Sequence, residues 1–140
     1  MRSMMQENKR KLIKLIKQSI QEDIGSGDIT SNLLISKKQK GISEIIVKED
    51  CVIAGISICK LVCESIDNKL KAHFTQKDGD YIKRSTVIGT ISGPVSSILA
   101  AERVFLNFMQ RMSGIATLTN TYVRELQGLT TKLLDTRKTT

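Results

Sequence analysis

Tryptophan is absent from the 140 residues, and only three phenylalanines and two tyrosines are present. So few aromatics supply a stacking platform for single-stranded nucleic acid only poorly. The single histidine, His73, sits in an expected strand and reads as structural. The three cysteines are an odd number, which argues against a disulfide framework. Cys59 and Cys63 lie one helical turn apart among Ile56, Ile58, Leu61 and Val62, with no matching Cys or His pair after them. They read as small core residues rather than metal ligands. No apolar run approaches a membrane span. Lys14 and Lys17 interrupt the N-terminal apolar positions, so no secretory signal is expected and the chain reads as soluble and cytoplasmic. Nothing resembles an internal repeat or a low-complexity linker.

What is abundant is positive charge, 22 Lys and Arg against 14 Asp and Glu, a formal net of +8. Such an excess favours anionic partners: nucleic acid, a membrane surface, or small molecules bearing phosphate or carboxylate. Much of it is spread thinly, in Lys9, Arg10, Lys11, Lys14 and Lys17 and again in Lys37, Lys38 and Lys40. Those runs read as solvated faces and a loop. The length suits one domain with a real core.

The clearest amphipathic stretch is Ala100 to Thr117. At about 100° per residue, Ile98, Ala101, Phe105, Phe108, Met109 and Met112 fall on one side. Arg103, Asn107, Gln110 and Arg111 take the other, bordered by Leu99 and Leu106. A cation framed by leucines on an outward face has two readings, a contact surface or a solvated arginine. Before this stretch, Lys9 to Asp23 reads as a helix with Leu12, Ile13, Ile16 and Ile20 on one face. Gly25 and Gly27 stop it, and Asp28 can accept backbone hydrogen bonds from Thr30 and Ser31.

Strands are expected over Ser43 to Glu49, Lys69 to Thr75 and, in two short pieces, Tyr81 to Ile91. Val52 to Gly55 leads into a helix from Ile56 to Ile66. Asp78-Gly79-Asp80 reads as a hairpin-type turn, and Gly93-Pro94 breaks the chain before the central helix. The order predicts a small open sheet covered by helices, an α+β domain. Ser113-Gly114 predicts a break, a second helix from Ile115 to Leu126 with Leu118, Tyr122 and Leu126 on one side, and then a buried-type strand. The Asp78 to Gly89 segment also has the look of a biotinyl or lipoyl carrier hairpin, but lacks the methionine-lysine pair such carriers modify.

Three segments carry a family resemblance: E-D-I-G-S-G-D-I-T at Glu22 to Thr30, E-R-V-F-L-N-F-M-Q-R-M-S-G-I-A-T at Glu102 to Thr117, and the closing D-T-R-K-T-T. Together, in that order, they resemble the quinolinate phosphoribosyltransferases (nicotinate-nucleotide pyrophosphorylases, carboxylating). The resemblance implies an N-terminal α+β dimerisation domain at 1–111, led by a helix at 1–23. It further implies that 112–140 begins an α/β barrel, a fold needing roughly 200 residues or more. Family members run to about twice this length. A lone chain of 140 residues is accordingly expected to be catalytically inert.

The resemblance also implies the chemistry. Phosphoribosyl pyrophosphate and quinolinate would yield nicotinate mononucleotide, pyrophosphate and carbon dioxide, with Mg2+ held by carboxylates beyond this sequence. Arg103 would reach into the barrel of a partner subunit, while Thr136, Arg137 and Lys138 would serve the home barrel. An arginine fork suits a carboxylate, and lysine is a compact charge for phosphate. Successive strand residues face opposite ways, so Arg137 and Lys138 share a pocket only if the strand ends near Thr136. Two alternatives stand beside this. One is a relative from the molybdenum-transport branch of the family. The other is a non-catalytic basic oligomerisation or RNA-binding module, with affinity falling steeply in salt.

Overall fold

The computed structural model describes residues 2–25, 33–36 and 38–136, with side chains from residue 7 onward. Helix α1 (Arg2–Ile24) follows from the spacing of Leu12, Ile16 and Ile20, which puts all three on one face. Ile16 is fully buried and the other two pack partly against the core, while Lys9, Lys11, Lys14 and Lys17 stay exposed. The helix starts at Arg2, before the Lys9 suggested by the apolar spacing and close to the span 1–23 implied by the resemblance. The loop that carries Asp28 and Thr30 lies outside the described residues.

Beyond it come β1 (Lys40–Ile46), β2 (Cys51–Val52), α2 (Ile56–Ile66), β3 (Lys71–Phe74), β4 (Tyr81–Ile82), β5 (Val87–Pro94) and α3 (Val95–Glu125). Strand β5 is the middle of a three-stranded antiparallel sheet ordered β1-β5-β3, and β2 pairs with β4 separately. This is the α+β arrangement expected, with one correction. Asp78 to Asp80 does not close a hairpin, because the strands on either side belong to different sheets. The turn is captured instead by the chain before α2: Gly79 N–H donates to Ile53 O at 2.8 Å, and Ile53 N–H to Asp80 O at 3.0 Å. The Asp78 carboxylate accepts the Ile56 N–H at 2.9 Å. A carboxylate on the first turn of a helix satisfies an orphan donor and suits the positive end of the helix dipole.

Two glycines are forced by this packing. Gly55, just before α2, has φ of 104°, a conformation in which a Cβ is strained. A Cβ on Gly89, in β5, would lie 2.5 Å from the His73 carbonyl oxygen of the neighbouring strand. The sheet register sets Ile45 opposite Gly89 and Ala72 opposite Ile91 on the inner face. Against that face pack Cys59, Val62 and Cys63 of α2 and Ile98, Ala101, Val104, Phe105 and Met109 of α3. Burying each valine, isoleucine, phenylalanine or methionine among them contributes about 1.5–3 kcal/mol. Cys59 and Cys63 are core residues, as the sequence suggested. The Cys63 sulfur beside it, together with burial, pushes the Cys59 thiol far up and keeps it unreactive.

Helix α3 corrects the sequence reading most. It runs 31 residues without interruption through Ser113-Gly114. One interior glycine costs only about 1 kcal/mol of helix propensity, and Ser113 is a buried anchor rather than a breaker. Its hydroxyl accepts from Ala54 N–H at 3.0 Å and donates to Ala54 O at 3.3 Å. One turn on, Thr117 Oγ1 accepts from Val52 N–H at 2.9 Å and donates to Ser113 O at 2.7 Å. The helix is thereby lashed to the strand entering α2. The boundary expected between residues 111 and 112 falls inside this helix.

The expected apolar stripe is present in its first half, with Val104 added to it. Phe108 is only half-buried and Met112 is 37% exposed, because α3 outruns the elements it packs on. Further along, Ile115, Leu118, Tyr122 and Val123 are exposed. The strand expected after residue 130 is absent from the described residues: 131–136 carry no regular structure, and Leu133 and Leu134 are exposed. A strand needs a neighbour to complete its hydrogen bonds, and none is described alongside it.

Candidate functional site

Arg103 emerges from the outward face of α3, its side chain 59% accessible. Leu99 beside it is exposed and Leu106 half-buried, the frame expected from the helical spacing. The guanidinium does not stand alone. Its Nε–H donates to Asp23 Oδ2, on the last turn of α1, at 3.1 Å. The Asp23 side chain is the less accessible partner, at 27%. The terminal nitrogens of Arg103 make no hydrogen bond to a described residue. An arginine so placed offers a forked pair of donors to a carboxylate.

Beside the ion pair, α1 and α3 enclose a groove of about 420 Å³. Ser19, Glu22, Asn107 and Arg111 supply its polar lining, and Phe108 and Met112 its apolar part. The groove exists because α1 ends where α3 continues, leaving the stripe uncovered. Thr136 stands at the far end of the described chain and is exposed. Arg137 and Lys138 lie outside the described residues. Between Arg103 and Glu125 runs about 33 Å of continuous helix. Arg103 lies on α3, and Thr136 lies in the irregular segment that follows it. No group of three His, Cys, Asp or Glu side chains among the described residues could hold a metal ion.

A second polar cluster steadies the distal end of α3. The Asp50 carboxylate accepts from Tyr81 Oη at 3.2 Å, Lys83 Nζ at 2.8 Å and Arg84 N–H at 2.9 Å. The Lys83 ammonium, then the Arg84 N–H, hold that carboxyl below its ordinary value. The Arg124 guanidinium stacks over the Tyr81 ring, 4.9 Å from its centroid. This contact fixes where the chain leaves α3 on its way to Thr136.

Sequence reasoning singled out Arg103 and missed Asp23, Ser113 and Thr117. Periodicity carries no signal for a pair 80 positions apart. For Ser113 and Thr117 a signal existed, a polar pair at helical spacing bordering an apolar stripe.

With this geometry in hand, comparison with known proteins is specific. The family model for the quinolinate phosphoribosyl transferase N-terminal domain matches residues 28–113. The probable nicotinate-nucleotide pyrophosphorylase (carboxylating) of Bacillus subtilis (strain 168) is 40% identical over 133 residues, 95% of this chain and 46% of that protein. The chloroplastic nicotinate-nucleotide pyrophosphorylase (carboxylating) of Arabidopsis thaliana is 40% identical over 126 residues, 89% of this chain and 36% of that protein. Among solved structures, NadC from Streptococcus pyogenes superposes with a TM-score of 0.87 at 34% identity, over 91% of this chain and 45% of that one. This chain spans about half the length, or less, of the curated relatives it matches.

Proposed function

The chain belongs to the quinolinate phosphoribosyltransferase family, as its N-terminal domain, and on that premise we propose that it serves phosphoribosyl transfer to quinolinate. The phosphoribosyl group passes from phosphoribosyl pyrophosphate to the pyridine nitrogen. Pyrophosphate leaves, and loss of carbon dioxide gives nicotinate mononucleotide, a step of NAD biosynthesis. The acting unit is a homodimer with shared sites. Arg103 of one copy grips a quinolinate carboxylate in its partner's barrel, where the partner contributes its own strand-end cations. Thr136, Arg137 and Lys138 are those residues, placed at a strand end only once a completed barrel supplies the neighbouring strand that 131–136 lacks among the described residues. Barrel chemistry is built at the C-terminal ends of strands.

One observation carries this reading: Arg103 sits on the outward face of a rigid helix, framed by Leu99 and Leu106, with its terminal nitrogens uncommitted among the described residues. Three cations brought together without an anion repel one another, so the assembled pocket is a receptor for a small polyanion. Removing the anion's water on closure strengthens each contact. The described residues offer no metal-ligating group, so the Mg2+ expected with a pyrophosphate is not assigned to them. We place the dimer in the cytoplasm, in keeping with three free cysteines.

The test joins residues 1–140 to the remaining C-terminal segment of the Bacillus subtilis relative. The grafted dimer should form nicotinate mononucleotide only when both quinolinate and phosphoribosyl pyrophosphate are present, and the 140-residue chain by itself should form none. Arg103→Ala should raise the quinolinate KM at least about tenfold, as truncating one partner of a desolvated charge pair does. A folded, dimeric graft that turns over normally with Arg103→Ala would remove the basis of the proposal.

A further inference from the structure

The ion pair between Asp23 and Arg103 ties the end of α1 to the outward face of α3. As a staple alone it would contribute little, since water screens both partners. Its geometry says more. The strongest grip of a carboxylate on a guanidinium uses two parallel N–H bonds. Asp23 forms one, from Oδ2 to Nε at 3.1 Å. It holds the inner edge of the fork, and no described residue hydrogen-bonds the outer edge.

We propose that Asp23 is a positioning residue, which sets the rotation of the Arg103 guanidinium so that its two terminal nitrogens meet a quinolinate carboxylate as a pair. This rests on the role given to Arg103 above. An unrestrained arginine loses freedom about several bonds when it binds, and that loss weakens affinity. Holding Nε in advance removes part of it. The acid is itself anchored: it sits on a helix packed through Ile16 and Ile20, and is the less accessible member of the pair. There is an opposing effect, because a carboxylate near Arg103 repels an incoming carboxylate. The two effects have opposite signs, so experiment can separate them. If Asp23 positions, removing it weakens quinolinate binding; if it competes, removing it tightens binding.

In the grafted dimer, Asp23→Ala should raise the quinolinate KM about fivefold. The KM for phosphoribosyl pyrophosphate and kcat should stay within about twofold. Asp23→Asn, whose amide oxygen can still accept from Nε, should recover most of the loss. In an Arg103→Ala background, Asp23→Ala should add nothing. An unchanged or lowered quinolinate KM in Asp23→Ala, alongside a raised one in Arg103→Ala, would overturn the positioning role and leave the shared site standing. An unchanged KM in Arg103→Ala would instead bring down the shared site, and the positioning role with it. A second measurement needs no activity: NMR of the arginine Nε–H groups in the 140-residue chain. The Arg103 proton should exchange with solvent more slowly than in Asp23→Ala, and equal rates would refute the contact.

Discussion

Replacing Gly114 by alanine distinguishes a continuous α3 from a helix broken at Ser113-Gly114. Gly114 is exposed at an interior helical position, and nothing lies within 4 Å of where its Cβ would be. Alanine is favoured over glycine in a helix interior by about 0.8–1.0 kcal/mol, mostly through backbone entropy. With no contact to disturb, Gly114→Ala should stabilise by nearly that full amount. For a chain of this length the melting temperature should rise by about 3 °C, measured by far-UV circular dichroism. The same methyl group at Gly89 should do the reverse. There a Cβ meets the His73 carbonyl at 2.5 Å and the Phe74 ring at 2.8 Å, so strand β3 must shift. The cost should be about 2–3 kcal/mol, and the melting temperature should fall by about 8 °C. A neutral or destabilising Gly114→Ala, with Gly89→Ala behaving as stated, would show that the helix is interrupted where the sequence first suggested.

Two further perturbations probe the polar ties. Ser113→Ala removes the partner of both Ala54 N–H and Ala54 O, and urea unfolding should show a loss of about 1–3 kcal/mol. The Asp67 carboxyl is held below its ordinary value by the Ser97 hydroxyl first and the Lys69 N–H second. Its folded value lies below the unfolded one, so it adds stability above the unfolded value, and that contribution disappears as pH falls through the folded value. Ser97→Ala should move the Asp67 titration upward when followed by NMR, and lessen the loss of stability on acidification below about pH 4.

The local grammar of the chain was largely readable. Helix α2 could be bounded at Ile56 and Ile66 because Gly55 precedes it and its apolar residues recur at helical spacing. The outward aim of Arg103 followed from angular position alone. Two kinds of feature were not readable. The turn at Gly79 has hairpin chemistry, yet long-range bonds to Ile53 decide which strands it joins. Ser113-Gly114 has the composition of a break, yet Ser113 spends its hydrogen-bonding capacity on Ala54 rather than on ending the helix. In both, a partner far away in sequence overrode a local preference. Asp23 belongs with them, since its meaning comes from a residue on another helix.

The central claim is that one pocket draws on two copies of the chain, and mixed dimers test it most directly. Assayed with quinolinate well below its KM, grafted protein carrying Arg103→Ala and grafted protein carrying Arg137→Ala should each keep at most about a tenth of the unmutated rate. Dissociated, mixed in equal amounts and reassembled, they should recover about a quarter of the unmutated rate, because half the dimers are then mixed and each of those holds one intact site of two. Recovery to that level is the result the account predicts. A mixture no more active than its parents, with mixed dimers shown to be present, would contradict it.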